Sequence, residues 1–339
     1  MSAAIERAAR SRVVLLGEQH DSPEDHLWQL QTLAALLGQH ARLVIGLEMF
    51  PRSAQKTLDQ WVAGTIDERT FLTESGWQAF WNFPPELYLS ILRFARLNRV
   101  PLRALNVPRE LVSRVAATGW DSVPADERLD LAPPAPAIPE YERSLTETYE
   151  QHVGEATVPH GNSAGFIAAQ LVWDGAFAQA LHAATHDYPD ALVIGLMGSG
   201  HLQYRYGVPH QLAALGIDDV TVLLPWEASR DCNELVPDLA DAVFGVETLE
   251  PAPPRRLLGI QIEPVEDGIA VRGVTEGSVA AAAGIRNGDV ILTAAGMAVH
   301  APGELREIVA RQAPGTWLPL RVRRGHKDME IVARFPAEP

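Results

Sequence analysis

Residues 192–201 read LVIGLMGSGH. An unbroken apolar run of strand length ends in glycines and a histidine. Continuous Val, Leu and Ile runs suit strands buried on both faces, and glycines let the chain turn sharply where such a strand stops. Residues 43–50, LVIGLEMF, repeat the run and bring in Glu48, while residues 13–20, VVLLGEQH, end on Glu18 and His20. Runs of this kind predict strands at 12–16, 43–47, 102–105, 192–196 and 220–224. Amphipathic stretches predict helices at 23–39, 54–62, 85–98, 108–117, 138–152, 163–186 and 208–215. Asn162 is placed to cap the longest, with Phe166, Trp173, Phe177, Ala180 and Ala184 expected on its buried face. Strand–helix alternation gives an α/β domain with a largely parallel sheet flanked by helices.

The pattern changes after EPAPP at 250–254. A proline cluster cannot continue a helix and is stiff enough to serve as a tether. The stretch APPAPAIP at 132–139 has helical patterns on both sides and reads as a surface loop. Beyond the tether, LLGIQIEPVEDGIAVRGV alternates with period two and breaks at Asp267-Gly268, a hairpin signal. Domains are therefore expected at 1–249 and 257–336, joined by a linker at 250–256. Charge divides at the same place. Residues from Arg255 onward carry 11 basic and 10 acidic groups, a net of +1, whereas those before carry 17 and 33, a net of −16.

The whole chain of 339 residues has a net charge of −15. That argues against nucleic acid or an anionic membrane as main partner, because both need a basic footprint. No apolar run is long enough for a transmembrane segment, and the single cysteine, Cys232, permits no intrachain disulfide. The opening residues, MSAAIERAARS, hold no apolar signal region or lipoprotein cysteine. As given, the chain reads as cytoplasmic, and as periplasmic or membrane-anchored if its N-terminus was trimmed.

Glu18, His20, Glu48 and His201 all sit at expected strand ends. Ligands of open α/β sheets bind at the carboxyl ends of parallel strands, and a buried Glu or His is costly unless paired, coordinated or solvated in a cleft. These four residues form a candidate catalytic set for acid–base chemistry. His20, Glu48 and His201 are also candidate ligands for a divalent metal. His182 and His186 have i,i+4 spacing and allow shared ligation from one helix face, although histidines near a helix C-terminus also complement its dipole. Trp77, Phe80, Trp81, Phe83 and Tyr88 form an aromatic cluster suited to core packing, a substrate pocket or a porphyrin.

VVLLGEQHDSPEDH, VIGLEMF and VIGLMGSGH resemble the ChaN-type haem-binding uptake proteins, within a superfamily that includes the Tiki/TraB proteases and erythromycin esterases. The resemblance spans roughly 12–226. It implies haem or iron-porphyrin binding in bacterial iron acquisition, with a tyrosine as iron ligand. Tyr204 and Tyr206, just past the second GxxH, are the first candidates, followed by Tyr141 and Tyr149. The hydrolytic relatives imply an alternative, a metal-assisted hydrolase using Glu18, His20, Glu48 and His201, with His20 or His201 as base. A homodimer is a further partner to consider, since two chains sharing one haem is one way to complete such a site.

In the C-terminal part, RLLGI at 256–260, GSVA at 277–280 and AGIRNGDVI at 283–291 resemble a PDZ domain of the bacterial HtrA-associated kind. The resemblance implies a partner's C-terminus as ligand. The loop Leu258, Gly259 and Ile260 would offer backbone N–H groups to a terminal carboxylate. The strand edge at 261–263 would accept an extended peptide, and Leu305, Ile308 and Val309 would form the pocket for its last side chain. Asp289 is expected to fix the tight turn at 287–289.

Overall fold

The computed structural model describes residues 2–40, 42–154, 162–248 and 257–337. The chain divides into two compact units, Met1–Thr248 and Leu249–Pro339. The linker expected at 250–256 lies outside the described residues.

The first unit is built on strands β1 (Val13–Glu18), β2 (Leu43–Pro51), β3 (Leu102–Asn106), β4 (Leu192–Gly198), β5 (Val220–Glu227) and β6 (Ala242–Val246). They pair in the order β3-β2-β4-β1-β5-β6, all parallel. Every residue of β1, β2 and β4 is buried, as their unbroken apolar runs require. One face packs Val14, Leu16 and Ile45 against Leu33, Leu36 and Leu92. The other packs Leu15, Val44 and Val193 against Phe177 and Leu181. Each such aliphatic side chain stabilises the fold by roughly 1.5–3 kcal/mol relative to leaving it exposed. The sequence reading missed β6 because AVFGV is only half-buried and shows no continuous run.

Chain order decides where polar residues meet. The chain runs from β1 to β2 and β3, then returns to insert β4 between β2 and β1. Three carboxyl ends therefore lie side by side at the centre of the sheet, with Glu18 in register with Gly198. A β-carbon at Gly46 would come within 2.8 Å of both Leu105 and Leu181. Glycine there lets the helix Ser163–Asp187 lie close to the sheet. At the outer edge, Gln55 shields β3. Its amide donates to the Leu102 carbonyl at 2.8 Å and accepts from the Ala104 N–H at 2.9 Å.

Asn162 caps the helix Ser163–Asp187, its side chain accepting from the Gly165 N–H at 2.7 Å. The buried face differs from expectation. Phe177 and Ala184 are inside, but Phe166, Trp173 and Ala180 are only partly covered. Ala169, Val172, Asp174, Ala176 and Leu181 complete the face. A buried aspartate shifts the apparent stripe, since periodicity scores it as solvent-facing.

The second unit is a sheet in the order β12-β11-β9-β8-β7, with β10 paired to β9. Its strands are β7 (Ile260–Val265), β8 (Gly268–Val274), β9 (Val290–Ala294), β10 (Met297–Ala298), β11 (Trp317–Arg324) and β12 (Lys327–Arg334). All pairs are antiparallel. The first hairpin turns on Glu266-Asp267, one residue earlier than expected, because Gly268 already pairs with Val265. Asp289 is buried and accepts from the Arg286 N–H at 2.8 Å and from both Nε and Nη2 of Arg324 at 2.8 Å. It ties the 286–289 turn to β11.

Candidate functional site

The strand-end residues assemble into two chains of tyrosine, carboxylate and imidazole. The first hangs on β1. Glu18 Oε1 accepts from the Tyr88 hydroxyl at 2.6 Å and from His20 Nδ1 at 3.0 Å. His26 Nε2 stands 3.5 Å from Glu18 Oε2. Burial pushes the Glu18 carboxyl up, but the hydrogen bonds and charges of His20 and His26 outweigh it and hold the pKa at about 2. Burial pushes the His20 imidazole down, and the Glu18 hydrogen bond and Glu48 charge win, leaving its pKa raised. The Tyr88 phenol is raised, chiefly by burial and then by the Glu18 charge, so it remains a donor.

The second chain hangs on β4 and the helix Ser163–Asp187. His201 Nδ1 donates to Asp174 Oδ1 at 2.6 Å, and Asp174 Oδ2 accepts from the Tyr141 hydroxyl at 2.8 Å. His201 Nε2 lies 3.6 Å from Glu48 Oε1, while Glu48 Oε2 accepts from the Gly198 N–H at 2.7 Å. Burial pushes the His201 imidazole down, but the charges of Asp174 and Glu48 and their hydrogen bonds raise its pKa to about 10.

The two chains meet over Gly198. A β-carbon there would lie 3.0 Å from His20 Cε1 and 3.8 Å from Glu48 Oε2. The fold thus brings Glu18, His20, Glu48 and His201 together. Access is unequal, because the His20 side chain is 31% exposed whereas that of Glu18 is fully buried. Trp81 and Phe83 flank the His20 ring, with centroids 4.7 and 5.5 Å away. Trp77 and Tyr88 of the same aromatic cluster are core residues.

The charges of Asp174 and Glu48 favour the protonated form of the His201 imidazole, which suits proton donation or charge stabilisation. His20 and His201 each engage a carboxylate through Nδ1, Glu18 and Asp174 respectively, and Glu48 Oε2 is taken by the Gly198 N–H. Among the described residues no group of three or more His, Cys, Asp or Glu is arranged to hold a metal ion. Sequence reasoning missed Asp174 and the phenol of Tyr88. Their partners lie 27 and 70 residues away, and no local pattern signals such a pairing.

The tyrosine candidates divide. Tyr141 is buried and held by Asp174, and burial with that charge raises its phenol further from ionisation. Tyr149 packs against Phe166, with ring centroids 5.8 Å apart. Tyr204 and Tyr206 are half-buried and stacked, with centroids 5.2 Å apart and planes 27° apart. Tyr206 also lies 6.1 Å from the Tyr141 ring. The turn carrying them is strained. Tyr204 and Arg205, adjacent and not glycine, take φ of 57° and 62°, a conformation costing on the order of 1–3 kcal/mol per residue.

In the second unit, β7 is an edge strand, and the helix Pro302–Ala310 packs beside it. Leu258, Leu305, Ile308 and Val309 are buried, with Ile260 and Ile262 packed against them. Gly259 has φ of 77°, and a β-carbon there would come within 2.3 Å of Ser278 Cβ. Leu258 and Gly259 therefore form a tight, glycine-dependent loop leading into β7 at Ile260.

A family model described as haem-binding uptake, Tiki superfamily, ChaN matches residues 4–212, and a PDZ-domain model matches residues 257–333. A solved structure of cofacial heme binding to ChaN of Campylobacter jejuni is 18% identical. It matches with a TM-score of 0.52 over 68% of this chain and 88% of its own. An HtrA-type protease AlgW with a decapeptide is 27% identical over 25% of this chain and 30% of its own, TM-score 0.24. A serine endoprotease from Yersinia pestis is 29% identical over 24% of this chain and 29% of its own, TM-score 0.22. No protein of curated function matches the chain. Among the described residues, no helix is long and apolar enough to cross a membrane.

Proposed function

The chain belongs to the ChaN-type haem-binding uptake family of the Tiki superfamily, and from that premise we propose that its first unit binds haem or a related iron porphyrin for iron acquisition. The PDZ domain then docks on the C-terminus of a partner protein, with 250–256 as the tether. The observation that carries the haem reading is the strained turn at 204–205, which holds two half-buried phenol rings together beside the His201 chain. Unfavourable backbone persists where the surrounding structure over-determines it, often at ligand sites. Tyrosine is an established type of haem axial ligand, and haem when bound would supply iron whose spin and potential that ligand tunes. Tyr204 and Tyr206 are the ligand candidates this geometry favours. Tyr141 positions Asp174, and Tyr149 is the remaining alternative.

Tyr206→Phe and Tyr204→Phe are the test, because each deletes one oxygen and keeps the ring. One of them is expected to abolish the high-spin charge-transfer band of the haemin-loaded protein and to weaken saturation of the Soret change. Tyr141→Phe is expected to keep both signals. Loss of the band in Tyr141→Phe alone would place the ligand elsewhere. Sedimentation of the same samples reads whether haem brings two chains together.

A second reading has its own observation: His20 and His201 converge on Glu48 over Gly198. That constellation suits a hydrolase in which protonated His201 stabilises developing negative charge and half-buried His20, the more accessible of the two, meets the substrate. A screen of esters and peptides, with and without Mn²⁺ or Zn²⁺, would have to find turnover that Glu48→Gln removes. Absence of turnover sets this reading aside.

For the PDZ domain, Gly259→Val tests the loop. Valine at φ of 77° is strained, and its β-carbon has no room beside Ser278. Binding of peptides with a free C-terminus is expected to disappear, while the far-UV circular dichroism stays close to that of the unmodified protein. Unchanged peptide affinity would remove this loop from the carboxylate site.

A further inference from the structure

The last turns of the helix Ser163–Asp187 carry a pair of imidazoles that neither reading uses. His182 and His186 lie one turn apart, and their rings meet edge to face with centroids 4.6 Å apart. Their Nε2 atoms are 3.3 Å from one another. Two nitrogen lone pairs held that close repel unless a proton or a cation lies between them. Zinc–nitrogen bonds of about 2.0–2.1 Å at a tetrahedral angle place two ligand nitrogens about 3.3–3.4 Å apart. The observed separation is that tetrahedral edge. We propose that His182 and His186 form a two-imidazole chelate for a divalent transition ion of the zinc type.

The surroundings fit an open chelate. His186 is exposed and His182 half-buried, so water or an outside ligand can complete the coordination. Nitrogen donors select zinc, nickel or copper over magnesium or calcium. The nearby carboxylates are occupied, Asp187 by Arg103 and Asp190 by Arg42. The pair also lies away from the strand-end cluster. The helix passes Asp174 beside His201 at the carboxyl ends of the strands, then ends at Asp187 before the chain enters β4 at Leu192. This second site therefore stands whether or not the haem reading holds.

The test is a Zn²⁺ titration of the full-length protein against a chromophoric zinc indicator, with His182→Ala, His186→Gln and Cys232→Ser in parallel. Cys232 is included because it is an exposed thiol. The unmodified protein is expected to withdraw one equivalent of zinc from the indicator. That equivalent is lost in both histidine variants and kept in Cys232→Ser. Copper-loaded protein should show imidazole nitrogen hyperfine structure in its electron paramagnetic resonance spectrum, and His186→Gln should remove it. Should His182→Ala fail to fold, exposed His186→Gln decides alone. No uptake by the unmodified protein, or uptake unchanged in His186→Gln, would overturn the proposal.

Discussion

Glu18→Ala is expected to cost the first unit roughly 3–5 kcal/mol, the price of removing one member of a buried charged pair. The substitution strips Tyr88 and His20 of their shared acceptor and leaves His26 facing an empty space. In a unit of this size each kcal/mol lowers Tm by roughly 2–4 °C, so the expected fall is roughly 6–20 °C. Glu18→Gln keeps the shape and one oxygen for Tyr88 and is expected to lose less. Calorimetry of both variants checks the order. A loss below about 0.5 kcal/mol in Glu18→Ala, the range of ordinary surface changes, would mean that the Tyr88–Glu18–His20 chain contributes little.

The same charges give stability a dependence on pH with two limbs. Glu18 is depressed from 4.5 to about 2. Its contribution is present above pH 4.5 and is lost as pH falls toward 2. His201 is raised from 6.5 to about 10. Its contribution is present below pH 6.5 and is lost as pH rises through 10. At about 1.4 kcal/mol per pKa unit, each limb is worth several kcal/mol. Denaturant midpoints of the first unit should therefore be highest between pH 4.5 and 6.5 and decline on both sides. Asp174→Asn removes the carboxylate hydrogen-bonded to His201, the strongest of the charges that raise it, so it should flatten the alkaline limb and leave the acid limb in place. Stability that rises from neutral pH toward 10 would contradict the assignment of His201 as a buried cation.

What could be read from the sequence followed from local signals. Buried strands announce themselves as unbroken apolar runs, and five of the six strands in the first sheet were found that way. β6 escaped because AVFGV lies at the sheet edge and is never deeply covered. The four strand-end residues were readable because each closes such a run. Their supporting partners were not. Asp174 sits within an alanine-rich helical stretch where periodicity expects an exposed residue, and only the fold brings it to His201. Tyr88 reads as one more aromatic in a cluster until its hydroxyl is placed against Glu18. Nor does sequence distinguish Tyr141 from Tyr204 or Tyr206, although burial and an aspartate partner set Tyr141 apart.

Haem binding by the first unit is most directly tested by titrating the full-length protein with haemin across the visible spectrum, with free haemin as reference. The account predicts a saturable Soret change with a high-spin charge-transfer band, as a tyrosinate ligand would produce. A spectrum that remains that of free haemin at every ratio would contradict it, leaving the Glu48 cluster as the centre of function.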